Sequence, residues 1–600
     1  MKYSDALVAW LIEEGYTHCF FVAGGNIMHI LNSVRDKMTC VPFVHEFAAA
    51  AAAEYFTASS RGASEKAFVL VTAGPGFTNT ITAIASAWIE SRQLLVIGGQ
   101  VKSQDLSNGS VRQRGIQEIN GIALAEPICK AVLQIRSPVS KSQFLRPIRL
   151  GKNPRQGPAF IEICLDAQGA SVDLLRLEQE PLISEKSLDL VDESLLDKAL
   201  HAISESHRPV LLVGGGCDYE DFLMLREPLS KLGIPIMTTW NGSDRISSDD
   251  PSYFGRPNTW GQRYSNVLMQ QSDLLIAVGT RLGLQQTGFA WEEFIQTGKV
   301  LQVDIDKGEL SKGHPKTHYP LNMDSSTFLR ALLSTEIKSN QFSDWLDFCC
   351  SVKALLPPIE EPNSNGAEYI DPFKFIAELS SLIERDAVII PCSSGGTFTA
   401  AMQSLNQKQG QRILSNKGMA SMGYGLSGAI GASLANRHTR TYLLEGDGGF
   451  AQNLQELGTV YSNYLPLKMF VFANDGYASI RTTQKNYFNG AWVGCDSRTG
   501  LGLPSLEHLA MAYKIPYFKI SNSNINDGRF IDFMLQEGPA LFEVPIDAEQ
   551  TYFPKIASRV TSEGAMESNP LHLMYPELGD EMSKLVFRYI PGVIQGEFGE

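Results

Sequence analysis

The sequence has little of what marks a nucleic-acid-binding, membrane-embedded or disulfide-stabilised protein. Its 51 Lys and Arg residues are outnumbered by 65 Asp and Glu, which gives a net charge of −14, and no basic run is long enough to follow a phosphate backbone. No apolar run approaches the roughly 20 residues of a membrane span. The nine cysteines form no C-x-x-C pair, which favours reduced thiols. We therefore expect a cytoplasmic protein that binds neither nucleic acid nor membrane.

Short apolar runs followed by glycine recur along the chain and predict buried strands. Examples are Ala67–Val71, Leu274–Val278 and Thr441–Leu444. Strands that are apolar on both faces are typical of parallel sheets covered by helices. The predicted fold class is therefore α/β, with three domains that each contain a doubly wound parallel sheet.

Two stretches of the sequence resemble each other, which predicts that the two outer domains are alike. In each, an Ala-rich or Gly-rich helix (Phe47–Ser59 or Met422–Ala435) precedes a strand and a glycine turn. A third α/β region lies between them. We predict an N-terminal domain at residues 1–175, a central domain at 190–345, a C-terminal domain at 365–560 and a C-terminal arm or lid at 561–600.

An aspartate and an asparagine follow two predicted strands of the C-terminal domain. Asp447 stands in a Gly-Asp-Gly-Gly turn after the first strand, and Asn474 follows the next one. Ligands bind at the carboxyl ends of strands in open α/β sheets. Asp447, Asn474 and the carbonyl of Gly476 would form an oxygen-only site suited to Mg²⁺. A lone Gly-Asp-Gly is more often a turn with a capping aspartate, but the distance to Asn474, enough for one helix and one strand, favours the metal site.

These motifs resemble the thiamine diphosphate-dependent enzymes, and among them the acetolactate synthase branch. Gly-Asp-Gly with an asparagine about 25 residues later is the metal–diphosphate signature of that family. The segments Met419–Leu426, Ala73–Asn79 and Ile116–Glu118 match the same branch in the same order, and the resemblance covers about residues 1–560. It implies the thiamine diphosphate-binding fold, thiamine diphosphate and Mg²⁺ as cofactors, and a homodimer or homotetramer with the active site between two chains.

The resemblance also implies roles for single residues. Glu46 would hold the cofactor's aminopyrimidine at N1′ and promote loss of the C2 proton, although a glutamate in a first helical turn also suits a structural role. Gln117 would reach the adduct of cofactor and substrate, or be a surface side chain. Met422 would bend the cofactor, or pack in the core, and the carbonyl of Ala420 would hold the cofactor's amino group. The other implied cofactor-binding positions are Gly74, Asn79, Ser394, Gly396, Thr397, Gly446, Gly448 and Gly449.

The central domain raises the separate question of a flavin. The run Gly214–Gly216 after a strand is by itself weak evidence for a dinucleotide. Gly279–Leu282 resembles the segment whose arginine, here Arg281, approaches FAD in acetolactate synthases. The aspartate-rich segment that comes after it in that branch is replaced by Gly283–Gln286. Retention of FAD is therefore open.

The expected activity is decarboxylation of a 2-oxo acid, first of all pyruvate, with transfer of the acyl unit to an acceptor carbonyl. The alternatives are a simple 2-oxo acid decarboxylase and a non-catalytic nucleotide-binding relic. Thr483 stands about where biosynthetic acetolactate synthases carry a tryptophan that shapes a small acceptor pocket. The stretch Gly476–Phe488 resembles enzymes that act on nucleotide-linked keto sugars. We therefore expect an acceptor larger than 2-oxobutyrate, with Arg481 and Gln484 as donors to it. The alternative is that Thr483 lies on an exposed helix face and another residue fills the gap.

Overall fold

The structure, a computed structural model, divides the chain into two compact units. The first unit comprises Met1–Ser187, Ala387–Gly395 and Leu414–Pro545, and the second comprises Leu188–Asp386, Gly396–Ile413 and Ile546–Glu600. The residues described are 1–61, 65–153, 155–181, 192–338, 340–361, 363, 368–392, 394–522, 525, 527–560 and 566–590. Among these residues, no helix is both long enough and apolar enough to cross a membrane.

The N-terminal part of the first unit is built on a six-stranded parallel sheet. Its strands are β1 (Tyr16–Phe21), β2 (Thr39–Pro42), β3 (Lys66–Val71), β4 (Leu94–Gln100), β5 (Ala131–Ile135) and β6 (Pro158–Cys164). They lie in the order β2-β1-β3-β4-β6-β5, and all neighbouring pairs are parallel. The helices are Tyr3–Glu13, Met28–Val34, Glu46–Ser59, Pro75–Thr78, Ile81–Ile89, Gly121–Ala125, Lys141–Lys152, Leu165–Gly169 and Leu174–Leu177.

Alternate residues of these strands enter two separate cores. Val69 and Val71 of β3 belong to one apolar cluster, whereas Phe68 and Leu70 belong to another. Successive side chains of a strand point to opposite faces, so both faces of the sheet are covered. This explains why the strands lack the alternation of apolar and polar residues that a half-exposed sheet would show.

The second unit contains a five-stranded parallel sheet of different strand order. Its strands are β7 (Pro209–Val213), β8 (Ile236–Thr238), β9 (Leu274–Val278), β10 (Lys299–Asp304) and β11 (Tyr319–Asn322). They lie in the order β11-β10-β9-β7-β8. The helices of this unit are Glu193–Ser204, Tyr219–Ser230, Arg263–Gln270, Leu284–Thr287, Lys307–Ser311, Ser325–Leu333, Ser343–Leu355, Pro372–Leu382, nearly all of Gly395–Ser404, and Asp580–Val586.

The C-terminal part of the first unit repeats the strand order of the N-terminal part. The strands that come next along the chain are β12 (Val388–Pro391), β13 (Arg412–Ile413), β14 (Thr441–Gly446), β15 (Leu467–Ala473), β16 (Tyr517–Lys519) and β17 (Ala540–Pro545). The order β12-β14-β15-β17-β16 matches β1-β3-β4-β6-β5, and these pairs are parallel. The helices are Tyr424–Ala435, Asp447–Phe450, Leu457–Ser462, Ala478–Phe488, Leu506–Ala512 and Gly528–Leu535. The predicted α/β class, with three parallel sheets and two like outer domains, is confirmed.

Two helices join the like domains of the first unit. The helix Glu46–Ser59 buries its six consecutive alanines, and it packs on the helix Tyr424–Ala435. A Cβ atom added at Gly431 would lie 1.9 Å from the carbonyl oxygen of Ala52. The small residues therefore let the two helix backbones approach closely where the two outer domains of the chain pack together.

The described part of the predicted arm packs within the second unit. Its strands β20 (Met566–Ser568) and β21 (Met574–Tyr575) pair antiparallel with β19 (Ser558–Val560) and β18 (Lys555–Ile556), which come just before the arm in the chain. Leu571 and Val586 are buried in the core of this unit. Arg263 donates to the carbonyl of Met574 at 2.9 Å, and Gln271 donates to that of Val586 at 2.9 Å. The segment is anchored by these contacts, while the proposed domain boundaries stay a prediction.

Candidate active site

Asp447 begins the short helix after β14, and its carboxylate is nearly buried, 9% exposed. Oδ1 accepts from the backbone N–H of Gly448 at 2.7 Å, and Oδ2 accepts from the N–H groups of Asn474 at 3.0 Å and Gly476 at 3.2 Å. Burial nevertheless raises the pKa of Asp447 to about 6. A carboxylate in this position is suited to a bound cation, which would compensate the cost of burying its charge.

The side-chain amide of Asn474 lies between two other oxygen atoms. One of its terminal atoms is 3.1 Å from Oδ1 of Asp447 and 2.9 Å from the carbonyl oxygen of Gly476. If the amide nitrogen occupies that position, it donates to both oxygens. If the amide turns by 180°, three oxygen atoms converge, and a cation is what holds such a group together. The three residues predicted as metal ligands are therefore adjacent and fit a divalent cation.

The glycines beside Asp447 are packed against other parts of the same domain. A Cβ atom at Gly448 would lie 2.5 Å from the ring of Tyr477, and one at Gly449 would lie 3.1 Å from a carboxylate oxygen of Glu445. Gly446 ends β14 in extended backbone, directly before Asp447. All three predicted glycines are thus at the predicted metal-ligand turn, and a larger residue at position 448 would collide with the Tyr477 ring.

The segment before the helix Tyr424–Ala435 carries two further predicted residues. Ala420 has a left-handed backbone conformation, with φ of 54°, which a non-glycine residue adopts only when its surroundings enforce it. Met422 is 38% exposed, although methionine is usually buried. Asn453, six residues after Asp447, donates to the carbonyl of Gly423 at 2.9 Å. The contact joins this segment to the metal-ligand turn.

Glu46 and Asn79, predicted separately, are hydrogen-bonded to each other. Asn79 Nδ2 donates to Oε2 of Glu46 at 2.9 Å, and both side chains are half-buried. Glu46 is the first residue of its helix, and the ring of His45 caps the helix by accepting from the N–H of Phe47 at 3.3 Å. The carboxyl of Glu46 therefore has one fixed partner and remains accessible.

Gly74 and Gln117 form a second pair of predicted residues in the N-terminal part. Gly74 has φ of 64°, and a Cβ atom there would lie 2.6 Å from the carbonyl oxygen of Gln117. Gln117 itself has φ of 60° and is exposed. The close approach requires glycine at position 74 and fixes the backbone of Gln117 while its side chain stays accessible.

A buried pair that the sequence analysis missed supports the loop of Gln117. Gln100 Nε2, at the end of β4, donates to the carbonyl of Ile119 at 2.9 Å and to Oε1 of Glu162 at 3.1 Å. Gln134 donates to the other oxygen of Glu162 at 2.7 Å. Burial raises the pKa of Glu162 to about 7. No sequence motif pointed to these contacts, because Gln100, Gln134 and Glu162 are on three different strands.

Glu456 makes a further set of contacts that the sequence analysis did not predict. It accepts from the N–H groups of Val44 at 3.1 Å and His45 at 2.9 Å, and from the hydroxyl of Thr459 at 2.7 Å. The 3₁₀ segment Ala451–Glu456 comes directly after the helix Asp447–Phe450. The ten residues from Asp447 to Glu456 therefore contact both the start of the Glu46 helix and the Gly423 turn. The only signal in the sequence was the family-like run Gln455–Leu457.

The remaining predicted residues belong to two different units. Ser394 is half-buried in the first unit, and its carbonyl accepts from the thiol of Cys392 at 3.3 Å. Gly396 and Thr397 are in the second unit, where a Cβ atom at Gly396 would collide with the ring of Tyr552. Arg281, also in the second unit, is exposed, and its carbonyl accepts from Lys312. None of these contacts identifies a ligand.

The donors expected for the acceptor are already bound to the protein backbone. Arg481 donates to the carbonyls of Asn474 and Asp475, and Gln484 exchanges hydrogen bonds with the backbone of Val493. Thr483 is exposed on the helix Ala478–Phe488 and donates to the carbonyl of Ser479 at 3.0 Å. The position that carries a tryptophan in biosynthetic acetolactate synthases is thus open to solvent.

The first unit contains a single-carboxylate oxygen cluster on one sheet and an accessible glutamate on the like sheet. In the described residues, no group of three His, Cys, Asp or Glu side chains offers an alternative metal site. Such an arrangement is typical of α/β enzymes that hold a diphosphate cofactor through a divalent metal ion. This arrangement assigns the protein to that class of α/β enzymes.

Comparison with known proteins identifies the family within that class. Residues 1–124, 196–332 and 394–544 match the models for the thiamine pyrophosphate enzyme N-terminal TPP binding domain, central domain and C-terminal TPP binding domain. The probable acetolactate synthase large subunit of Methanocaldococcus jannaschii is 28% identical over 569 residues, which cover 91% of this chain and 92% of that protein. The acetolactate synthase large subunit of Cyanidium caldarium is 28% identical over 92% of this chain and 94% of its own. The isozyme 1 large subunit of Escherichia coli (strain K12) is 25% identical over 92% and 95%.

This chain belongs to the thiamine diphosphate-dependent enzymes and is an acetolactate synthase-like member of that family. The three models together match more than half of the chain, in the order in which the sheets occur along it. The recognition made from the sequence motifs is therefore confirmed, and thiamine diphosphate is the cofactor that the two outer domains bind.

Proposed function

We propose that this enzyme decarboxylates pyruvate or a similar 2-oxo acid and joins the remaining acyl unit to an acceptor carbonyl. One carbon–carbon bond breaks with loss of CO₂, and one forms, so that a 2-oxo acid and a carbonyl compound give CO₂ and a hydroxy ketone. The observation that carries the proposal is the convergence of Asp447, Asn474 and the Gly476 carbonyl at the ends of β14 and β15. The acetolactate synthases to which the chain is similar support the choice of reaction.

The oxygen cluster is the proposed Mg²⁺ site. Asp447 Oδ1, Asn474 Oδ1 and the Gly476 carbonyl would supply three ligands, which leaves room for phosphate oxygens and water in an octahedral shell. Backbone N–H groups at the glycine turn Gly446–Gly449 would then face the diphosphate. Ser394, in the same unit, would add a donor to it, while the diphosphate-binding roles of Gly396 and Thr397 stay predictions from the sequence.

The N-terminal residues would handle protons and substrate. When bound, thiamine diphosphate supplies the electron sink for decarboxylation and carries the acyl unit. Because Asn79 donates to Oε2 of Glu46, the carboxyl would hold its catalytic proton on Oε1. Gln117, exposed at the tip of its loop, would reach the reacting substrate, and Gly74 would fix that loop.

Two residues of the C-terminal part would shape the space for the organic half of the cofactor. Met422 is exposed where its side chain could contact a ring, and sulfur is polarizable. The strained backbone at Ala420 would aim its carbonyl at an amino group. Burying Met422 against a ligand would remove apolar surface from water, which favours binding.

The active site is proposed to form between two chains of a homodimer or homotetramer. A mixture of Glu46→Gln and Asp447→Ala chains tests this arrangement. If each site takes Glu46 from one chain and Asp447 from the other, a mixed dimer contains one site with both native residues, and activity returns on mixing. If both residues of a site come from one chain, every site has one defect, and mixing restores nothing.

The acceptor is proposed to be larger than 2-oxobutyrate, with a nucleotide-linked keto sugar as the extreme case. The support is the exposed Thr483 in place of a tryptophan, since losing an indole opens roughly a hundred Å² of apolar contact surface. The names of the similar proteins given above mention no sugar acceptor. The proposal of a large acceptor therefore rests on Thr483 and the stretch Gly476–Phe488 alone.

Product analysis with pyruvate, thiamine diphosphate and Mg²⁺ tests the proposal. CO₂ release together with a new carbon–carbon bond on an added carbonyl acceptor is the expected result. CO₂ release without any joined product would favour the simple decarboxylase, and no turnover of any 2-oxo acid would favour a binding relic. Strong preference for 2-oxobutyrate, without turnover of any keto sugar, would contradict the larger acceptor.

We propose separately that the second unit binds FAD, which has no part in the proposed reaction. The loop Gly214–Gly216 packs on Gly279, where a Cβ atom at Gly214 would lie 2.1 Å from the carbonyl oxygen. Backbone packing thus already explains part of the glycine run. Exposed Arg281 could reach a flavin ring. A yellow preparation with a flavin absorption spectrum would support the site, and a colourless protein that takes up no added FAD would contradict it.

A further inference from the structure

The arginine that the sequence analysis assigned to the acceptor faces the metal-ligand loop. Arg481 is only 3% exposed, in the first turns of the helix Ala478–Phe488. Its guanidinium donates to the carbonyl of Asn474 at 2.6 Å and to that of Asp475 at 2.8 Å. These are consecutive residues, so one planar group holds two neighbouring peptide oxygens.

The loop that Arg481 holds has an unusual backbone. Asp475 and Gly476 both have positive φ, 60° and 115°. Consecutive residues in this region cannot belong to a helix or a strand, so their conformation depends on contacts from outside the loop. On one side, the carboxylate of Asp447 accepts from the N–H groups of Asn474 and Gly476. On the other side, Arg481 donates to the carbonyls of Asn474 and Asp475. Asp447 therefore holds the N–H groups of the loop, and Arg481 holds its carbonyl groups.

The two clamps differ in what happens when a metal ion binds. The Asp447 carboxylate is itself a proposed ligand, so a cation would compete with the loop N–H groups for its oxygens. The Arg481 guanidinium carries hydrogen-bond donors only, so it cannot be a metal ligand. Its hold on the loop is therefore available with or without the metal, and it keeps the Asn474 side chain and the Gly476 carbonyl turned towards Asp447.

We propose that Arg481 is a positioning residue for the metal site, whose two hydrogen bonds to the Asn474 and Asp475 carbonyls pre-form the ligand loop. The inference rests on the proposed function in one respect, namely that Asp447, Asn474 and Gly476 bind the cofactor's metal. It replaces the expectation that Arg481 binds the acceptor. A lysine cannot substitute fully, because a single ammonium group does not match the paired donors of a guanidinium.

The test measures metal binding directly, by electron paramagnetic resonance of Mn²⁺ titrated into the full-length protein with saturating thiamine diphosphate. Arg481→Met should weaken Mn²⁺ binding about tenfold or more, and Arg481→Lys should recover part of that loss. Gln484→Met is the matched control, because Gln484 lies on the same helix and also binds backbone, that of Val493. It should leave Mn²⁺ binding unchanged.

The outcomes separate the inference from the function on which it rests. Wild-type protein that binds no Mn²⁺ with thiamine diphosphate would contradict the proposed metal site itself, and the role of Arg481 with it. Wild-type binding that persists unchanged in Arg481→Met would overturn the inference alone, all the more if the KM for the acceptor rises. An equal loss in Gln484→Met would also overturn it, since the helix as a whole would then be responsible. If Arg481→Met does not fold, Arg481→Lys decides by the same criteria.

Discussion

The two outer domains of this enzyme share a strand order but differ in the loops at the ends of equivalent strands. By position in the sheet, β3 corresponds to β14 and β4 to β15. After β3 comes a Gly-Pro-Gly turn without a carboxylate, whereas after β14 comes the turn of Asp447. After β4 comes the long loop of Gln117, and after β15 the tight turn of Asn474. The shared topology thus determines where loops meet, and the loop sequences determine the chemistry there.

The difference extends to how the two kinds of loop are held. The C-terminal turn is buried, and its ligand atoms are clamped by Asp447 and Arg481. The N-terminal loop exposes Gln117 and is supported from beneath by Gln100 and Glu162. A metal–diphosphate anchor needs fixed oxygens, whereas a group that meets a changing substrate needs access. This difference agrees with the proposal that the C-terminal part anchors the metal and diphosphate and that the N-terminal part performs proton and substrate chemistry.

Removal of the only carboxylate in the C-terminal cluster should have the largest effect. We expect Asp447→Ala to weaken Mg²⁺-dependent thiamine diphosphate binding by more than about 100-fold, because a ligand contributes more than its supporting residues do. Calorimetry of thiamine diphosphate binding with and without Mg²⁺ measures the loss. Asp475→Asn is the control, since the Asp475 carboxylate accepts from Ser497 and is exposed. Unchanged, metal-dependent affinity in Asp447→Ala would place the metal elsewhere.

The corresponding change in the N-terminal part should spare binding and reduce turnover. Glu46→Gln should bind cofactor with wild-type affinity but lose about 10²–10⁴-fold in kcat, the usual contribution of a positioned acid or base. Proton exchange at C2 of the bound cofactor, measured by NMR, is the direct readout. Asn79→Ala keeps the carboxyl and removes only its 2.9 Å partner, so a smaller loss is expected. Near-normal exchange in Glu46→Gln would remove Glu46 from this role.

A substitution in the helix pair that joins the two parts should lower the stability of both. Gly431→Ala puts a Cβ atom 1.9 Å from the Ala52 carbonyl, so the helices must separate. Overpacking of this kind costs about 1–3 kcal/mol, and the thermal transition of this large unit should fall by roughly 2–4 °C. Gly502→Ala is the control, because no atom lies within 4 Å of its added Cβ. A melting curve unchanged by Gly431→Ala would show that the interface relaxes easily.

Much of this arrangement was predictable from local sequence. Apolar runs indicated buried parallel strands, and repeated helix–strand–glycine units indicated the likeness of the outer domains. The closeness of Asp447 and Asn474 was predictable because carboxyl ends of neighbouring parallel strands share one edge. Each of these inferences uses only residues near one another in the chain, or a rule that holds for every sheet of the class.

Contacts between distant segments were not predictable in the same way. Glu456 binds the backbone of His45, 411 residues away, and nothing local marks a glutamate as an acceptor for that N–H. The partners of the Arg481 side chain were not predictable for a similar reason, since a position on a helix does not say whether a long side chain turns to a neighbouring loop or to a ligand. Such details depend on the packing of the whole unit.

The smallest expected effect concerns the support beneath the Gln117 loop. Burial raises the pKa of Glu162 from 4.5 to about 7. Between those values the folded protein holds a proton that the unfolded chain has lost, so the stability contributed by Glu162 is complete below pH 4.5 and declines as pH rises towards 7. The total is at most about 3 kcal/mol at 1.36 kcal/mol per pKa unit. Glu162→Gln should therefore flatten the fall in melting temperature between pH 5 and pH 8. Glu178→Gln, in the same unit, is the control: hydrogen bonds from Trp10 and Lys141 lower the pKa of Glu178, so its contribution is constant in that range and disappears only in acid. A wild-type curve that is as flat as that of Glu162→Gln would mean that Glu162 is charged in the folded protein, and the loop would then be supported by an ionised carboxylate.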